Sequence, residues 1–432
     1  MFKFILRRLL LLLLTMVLVS IAVFLMVESS PGNVARNVLG SFVTPEQEAS
    51  FLKQTGLDKP IIVRYVYWLF GSDWHASHKV GLPIVRKKTP DGFYEWWAKD
   101  KEKRRLRWRL DGDNLIRISK TESGEVIETK DNRAWQPGKN KTQFFWGVDT
   151  KGHAVKWERG ADHKVWTFVA GSGWMETSGG PVSYIPLKKG FVRGDPGISL
   201  RTGRPVANSL FIRVRNSLVL AGIAFLIVMP LALLLGLIAG IREGSKTDRI
   251  LSVTGLIFTV IPEFATGIFL ILIMSFWLGW VPGATVFGEK APWERPDMLI
   301  LPVLTLTLIE IGYVLRITRA SVSEVLRSAY IRTAFLKGLS YPRIIFKHAL
   351  KNALMAPITI VMLHVNWLLG GIVIVEVVFG YPGLGKYLLD SALYKDINAL
   401  EAGAMILVLV AVSTQLVADI IYTFLNPRIR YT

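Results

Sequence analysis

Six separated stretches of this chain are apolar enough and long enough to cross a lipid bilayer, and no other feature narrows its possible folds so far. They lie at about 9–27, 217–239, 251–276, 298–315, 356–378 and 401–425. A helix rising 1.5 Å per residue needs roughly 17–25 apolar residues to cross the hydrocarbon core. Lipid offers no water to satisfy backbone polar groups, so such runs are read as helices. The chain is therefore predicted to be an all-α polytopic membrane protein. Its composition agrees, with 51% hydrophobic and only 20% charged residues. The first run follows Lys3, Arg7 and Arg8 as a signal peptide would, but it outlasts a usual signal core. No small-x-small cleavage pattern follows in Glu28-Ser-Ser-Pro-Gly32, so it is read as an uncleaved first helix.

The formal net charge is +19, which in so apolar a chain points to a membrane surface before nucleic acid. Short cytoplasmic segments accumulate Lys and Arg, and this fixes the predicted orientation. Arg242, Lys246 and Arg249 fall inside, as do Arg428 and Arg430. So does the segment 316–355, with Arg316, Arg319, Arg327, Arg332, Lys337, Arg343, Lys347 and Lys351 against the single carboxylate Glu324. The loops at about 279–297 and 379–400 fall outside, and both termini are predicted to be cytoplasmic. There are no cysteines, which excludes disulfides, thiolate metal sites and cysteine catalysis.

Residues 72–193 differ in kind. They contain no spanning run, carry 24 basic and 15 acidic residues, and hold nine of the 14 tryptophans. Alternating runs at Leu115-Ile-Arg-Ile118, Val155-Lys-Trp-Glu158 and Lys164-Val-Trp-Thr-Phe-Val169 are separated by Asp111-Gly112, Ser123-Gly124 and Lys151-Gly152. That pattern predicts antiparallel hairpins, hence an inserted β-rich extracytoplasmic domain. An aromatic core under a solvated basic surface accounts for this composition as it stands.

Segment 316–355 is long, basic and helix-favouring, broken near Gly338 and Pro342. Physics alone allows it to lie on anionic headgroups. Its motif Tyr330-x-Arg332-Thr333-Ala334-x-x-x-Gly338-Leu339-Ser340, continued by His348-Ala-Leu-Lys-Asn-Ala353 and Pro357, resembles that of the dipeptide and oligopeptide permeases of ABC importers. Further similarity lies in Thr44-Pro-Glu with Gly56-Leu-Asp-Lys-Pro60, in Gly194 to Val206, in Val375-Glu-Val-Val-Phe-Gly-Tyr-Pro-Gly-Leu-Gly385, and in Asn426-Pro-Arg-Ile-Arg-Tyr431. The resemblance covers nearly everything but 72–193.

The resemblance implies six transmembrane helices of the type I ABC importer permease fold in a bacterial inner membrane. Residues 1–71 would be the first helix and a periplasmic scoop segment, and 194–432 a five-helix core with its coupling loop at 316–355. Arg332, Thr333, Ala334, Lys337, Gly338 and Leu339 would dock on an ATPase. The implied partners are a second permease, two cytoplasmic ATPase subunits that bind ATP and Mg, and a periplasmic binding protein. No cofactor is implied in this chain. The solutes would be peptides or peptide-like; oligosaccharides or opine-like solutes, and a membrane glycan enzyme, stand as alternatives. The insert and Glu263, where a small or uncharged residue is expected, depart from the family pattern.

Gly380-Tyr-Pro-Gly-Leu-Gly385-Lys386 has the outline of a phosphate loop, but Tyr387 replaces the needed hydroxyl and a membrane run precedes it. It is read as a tight turn. Gly236-x-x-x-Gly240 is read as close helix packing, and His75, His78 and Asp73 are a weak metal constellation. No catalytic constellation stands out. Ionisable groups inside membrane runs are costly and often functional. Glu263, Glu310, His364 and Asn366 are accordingly candidates for the translocation path, with helix-to-helix hydrogen bonding as the alternative role.

Overall fold

The computed structural model describes residues 2–28, 34–40, 42–112, 114–131, 135–160, 165–169, 173–178, 183–287 and 291–425. Five helices come first: α1 (Phe2–Glu28), α2 (Val34–Leu39), α3 (Pro45–Thr55), α4 (Ile61–Phe70) and α5 (Asp73–Val80). Strands follow as β1 (Ile84–Lys88), β2 (Tyr94–Lys99), β3 (Arg105–Asp111), β4 (Asn114–Lys120), β5 (Val126–Lys130), β6 (Gln136–Pro137), β7 (Gln143–Val148), β8 (Ala154–Arg159), β9 (Val165–Val169), β10 (Gly173–Ser178) and β11 (Ser183–Ile185). Ten helices complete the chain: α6 (Val206–Ile241), α7 (Lys246–Val260), α8 (Glu263–Leu270), α9 (Ile300–Leu326), α10 (Ala329–Leu336), α11 (Tyr341–Arg343), α12 (Leu350–Ala353), α13 (Met355–Val378), α14 (Leu384–Leu393) and α15 (Ile397–Leu425). They divide into two compact units, one of Met1–Ser20, Leu210–Asp390 and Gly403–Thr432, the other of Ile21–Ser209 and Ser391–Ala402.

In the second unit the Thr44-Pro-Glu motif is a helix start. Thr44 accepts from the Gln47 N–H at 3.3 Å, Gln47 answers the Thr44 N–H at 3.1 Å, and Pro45 opens α3. Gly56 ends that helix at φ +76°, and a Cβ there would strike Pro186. Strands β1 to β5 form an antiparallel meander, and a second sheet runs in the order β11-β8-β7-β6. The three turns foreseen in the sequence hold Gly112, Gly124 and Gly152 at φ +58°, +92° and +84°. Trp96, Trp108 and Trp157 are buried with Leu106, Leu115 and Val155, and Phe145 stacks on Trp157 at 5.8 Å. Each such ring removes about 150–250 Å² from water, on the order of 4–6 kcal/mol at about 25 cal/mol/Å² before entropy is counted. The tryptophans described in this region thus serve mostly as core, although Trp74 is 55% exposed.

Four described helices are apolar and long enough to cross a membrane: Leu9–Glu28, Val206–Ile241, Pro296–Leu326 and Ile397–Ala418. Two bent pairs raise the number to six if each is one span. The run predicted as one helix at 251–276 is in fact Lys246–Val260 and Glu263–Trp277, bent by 106°. Pro262 explains the break: it offers no N–H, and its ring disfavours helical backbone at Ile261, which lies at ψ 128°.

The central element of the first unit is α9, whose apolar window is 72% buried against 11–33% for the other three candidate spans. Cβ atoms placed at Gly236 and Gly240 of α6 would meet the Cβ atoms of Thr318 and Val322 on α9 at 2.5 and 2.7 Å. The spacing therefore packs two backbones together, as read from the sequence. Gly255 of α7 meets Gly312 of α9 in the same way, 3.1 Å from a built Cβ to Cα.

At the far end of α13 the loop 379–386 closes on α6. Glu376 is fully buried and accepts from the Gly385 N–H at 2.6 Å, the Lys386 N–H at 3.1 Å and the Ser217 hydroxyl. Ser217 accepts from the Leu384 N–H at 2.7 Å, and the Tyr381 hydroxyl donates to the Asn216 carbonyl at 2.7 Å. Gly383 leaves room for the carboxylate, which a Cβ would overlap. We expect Glu376→Ala to lower stability by about 3 kcal/mol or more, because it strands buried donors, and Gly383→Ala to act in the same direction. Thermal unfolding of the purified chain in detergent checks this; midpoints unchanged in both variants would rule the lock out.

Candidate functional site

The basic segment predicted to carry function folds as α10, α11, a wide helical turn over Ile344–Ala349, and α12. Ile331, Ala334, Ile344 and Ala349 are buried together, with Val325, Leu326 and Leu339 packed on them. Four small or aliphatic side chains make a miniature core, so the segment holds its own shape. The helix α10 ends where Gly338 turns left-handed at φ +72°, with its N–H on the Phe335 carbonyl at 3.0 Å. No atom lies within 4 Å of a Cβ built there.

The six residues singled out in the sequence divide by exposure. Arg332, Thr333, Lys337 and Gly338 are exposed, Leu339 is half-buried, and Ala334 is 8% exposed and faces the miniature core. The sequence did not reveal the apolar surface around them: Leu336 is 82% exposed and Phe346 68%, with Tyr330, Phe335 and Tyr341 also exposed. Phe335 and Tyr341 lie with ring centroids 6.0 Å apart. A cluster of exposed large apolar side chains flanked by arginine and lysine marks a contact surface.

The base of the segment is clamped by acids that the charge pattern had left unassigned. Asp248 on α7 is buried and holds Arg319 of α9 through two hydrogen bonds, 2.5 and 2.8 Å. It also accepts from the Gly244 N–H at 2.9 Å. Glu243 accepts from the Ser323 hydroxyl and from Arg327 at 2.7 Å, and these bonds, Ser323 first, hold its carboxyl below the usual range. A groove of about 510 Å³ opens beside this clamp between α7 and α9, lined in part by Arg249, Arg316 and Thr259.

Of the membrane candidates, Glu263 begins α8 directly after the bend and faces Gly371 of α13, where a built Cβ would lie 3.1 Å from Oε1. Its Oε2 is buried with no hydrogen bond among the described residues. Glu310 is buried on α9, which packs against α8, so the two carboxylates lie on neighbouring helices. His364 and Asn366 belong to α13, and their side chains lie outside the described residues. His75 is taken up by the Tyr67 hydroxyl, and Asp73 pairs with Arg193. Among the described residues no group of three His, Asp or Glu could hold a metal ion.

Comparison with known proteins gives these arrangements a family. The family model described as binding-protein-dependent transport system inner membrane component matches residues 232–431, and the model for its N-terminal part matches residues 1–80. The oligopeptide transport system permease protein AppB of Bacillus subtilis is 36% identical over 254 residues, 58% of this chain and 80% of that protein. The glutathione transport system permease protein GsiC of Shigella flexneri is 37% identical over 243 residues, covering 56% and 76%. The dipeptide transport system permease protein DppB of Alkalihalophilus pseudofirmus is 30% identical over 274 residues, covering 58% and 81%. Among solved structures, the MetNI methionine ABC transporter matches over 51% of this chain and 96% of that chain, at 18% identity and a TM-score of 0.38. The chain belongs to the family of binding-protein-dependent transport system inner membrane components. Within it, the chain is a membrane-embedded permease subunit of the peptide-importer type, a transport subunit and not an enzyme.

The clamp yields a test. Asp248→Ala leaves Arg319 without its partner and is expected to cost about 2–3 kcal/mol, whereas the double variant Asp248→Ala/Arg319→Ala should recover part of that loss. Strict additivity of the two single variants in thermal unfolding would remove the clamp from the account.

Proposed function

We propose that this chain carries peptides or peptide-like solutes from periplasm to cytoplasm by alternating access, with segment 329–353 transmitting motion from an ATPase. The observation that carries this reading is the exposed surface of Leu336, Phe335, Tyr341 and Phe346 on a segment with a core of its own. A rigid body can pass a push from a partner to the helices it joins, and the Asp248–Arg319 clamp fixes the base of α9 against α7. In this reading Arg332 and Lys337 pair with an acidic rim on the ATPase, Thr333, Gly338 and Leu339 complete the contact, and Ala334 keeps the segment compact. The names of AppB, DppB and GsiC support peptide-like solutes for this chain.

The chain crosses the inner membrane six times in this proposal, each bent pair counting once, with both termini cytoplasmic as the Lys and Arg distribution requires. ATP and Mg are held by two partner ATPase subunits, and a second permease subunit completes the path. Glu263 and Glu310 contribute to that path, along with His364 and Asn366. Leu336→Asp places a charge on the contact surface and leaves the miniature core untouched. It is expected to weaken co-purification of the ATPase subunits at least about tenfold, with an unchanged thermal midpoint of the isolated chain. Full retention of the ATPase would refute the docking role.

The β-rich insert at 72–193 is an extracytoplasmic domain in this proposal, and its basic surface draws in an acidic binding protein. Its ends meet: the Ser72 N–H donates to the Lys188 carbonyl at 2.9 Å, so a short linker can replace it. Residues 81–231 lie outside both family matches, which supports an added function. Joining Gly71 to Gly194 by a Gly-Ser linker should slow binding-protein association and flatten its salt dependence, since exposed charges are screened over about 8 Å at physiological ionic strength. An association rate with the same magnitude and salt response would sink this role.

A further inference from the structure

The unit of Ile21–Ser209 and Ser391–Ala402 holds an open cavity of about 260 Å³. One wall is aromatic, formed by Tyr94 and Trp96 of β2, and Arg86 of β1 lies over the Tyr94 ring at 3.7 Å. Arg86 is already neutralised by an ion pair with Asp195. Asp195 is itself fully engaged, accepting from the Lys189 and Gly197 N–H groups at 3.2 Å each. Lys188 is the other cation of the lining, its charge matched by Glu401 at a distance rather than by a direct ion pair. Its ammonium makes no hydrogen bond or ion pair among the described residues. Burial holds its pKa below the ordinary lysine value, while the carboxylates of Glu401 and then Asp195 act from a distance to keep it charged.

Size separates this cavity from a hydration site. A neighbouring void of about 20 Å³, lined by Glu28, Arg64, Lys188 and Glu401, has room for a single water and polar partners for it. The larger cavity is more than ten times that volume, but it falls below the roughly 300–1,000 Å³ of sites that enclose a whole drug-sized ligand. It suits one residue of a longer molecule. A lysine with no direct ion pair beside an aromatic and apolar wall suits a carboxylate attached to an apolar side chain, and Gln54 adds an amide at the same lining. Leu200 and Ile198 extend the apolar side.

We propose that this cavity is a subsite for the C-terminal residue of a peptide, its carboxylate against Lys188 and its apolar side chain against Tyr94 and Trp96. The inference rests on the reading of the chain as a carrier of peptides. It adds a place of solute contact in the unit that contains the insert, on residues 86, 94, 96 and 188, all of which lie in sequence outside the family matches.

The test uses the full chain in lipid nanodiscs, with no binding protein or ATPase present, titrated calorimetrically with alanyl-phenylalanine and with its C-terminal amide. The acid is expected to bind at least about tenfold more tightly than the amide, and Lys188→Met to remove that preference. Lys188→Arg should keep it. Leu200→Trp, which fills the apolar side without altering charge, should abolish binding of both peptides, and it decides the matter should Lys188→Met fail to fold. Equal binding of acid and amide, no binding of either, or wild-type affinity in Leu200→Trp overturns the subsite. Peptide uptake by the assembled wild-type importer separates the two failures. Uptake without acid preference in calorimetry rejects the cavity alone, whereas no uptake of any peptide rejects the transport reading.

Discussion

Helices surrounded by lipid gain nothing from burying leucine against leucine, because the lipid tails are equally apolar. Association must come from close contact, and here it comes from backbones brought together on α9. Gly236 and Gly240 admit α6, Gly255 and Gly312 admit α7, and the same helix packs against α8 and α13. A methyl group at any of these glycines would meet a neighbouring atom well inside van der Waals distance, so the approach cannot be relaxed by a side-chain rotation alone. The remaining helices of this unit take their positions from that packing. The exposed apolar side chains on α6, α7 and α8, such as Leu226, Val260 and Phe269, are what such a core leaves for lipid or for another subunit.

Charge plays a complementary part at the base of the basic segment 316–355. Eight cations against one carboxylate looked like a surface for headgroups, yet two of the eight are committed within the chain, Arg319 to Asp248 and Arg327 to Glu243. The Asp248 pair is the more consequential, because its carboxylate is buried and several donors converge on it. Exposed pairs such as Arg327 with Glu243 contribute little energy by themselves. Removing two cations from the free surface sharpens the picture of the rest: Arg332 and Lys337 stand exposed beside Leu336 and Phe335, a mixture that suits a protein surface better than a uniform lipid plane.

What could be read from the sequence follows the range of the interactions involved. Hydropathy is a local sum, so each apolar run falls on helix, but it does not set the ends: the runs at 217–239 and 298–315 belong to helices that begin at Val206 and end at Leu326, and the run at 251–276 is divided by Pro262. The hairpins of the insert were legible for the same reason, since glycine at φ above zero and alternating side chains both act over a few positions. The motif around Gly338 was found through resemblance, but the inward direction of Ala334 was not, because it depends on Ile344 and Ala349 ten and more residues away. The Asp248–Arg319 pair spans 71 positions, and no local pattern announces it.

The glycine-rich turn after α13 shows how a misleading motif can be correct in its physics. A run of glycines before a helix does create backbone N–H groups that converge on an anion, which is why the outline resembles a phosphate loop. In this chain the anion is internal. The first N–H groups of α14 are those of Leu384, Gly385 and Lys386; Ser217 takes the first, and the Glu376 carboxylate takes the other two. Once these donors are occupied, the turn has no free cradle for a phosphate, whatever its sequence suggests. The same bonds give Glu376 the partners that a fully buried carboxylate needs, and they tie the start of α14 to α6 through Ser217 and Asn216. Within this stretch Glu376, Tyr381, Pro382, Gly383, Leu384 and Gly385 thus form a carboxylate and the turn that encloses it.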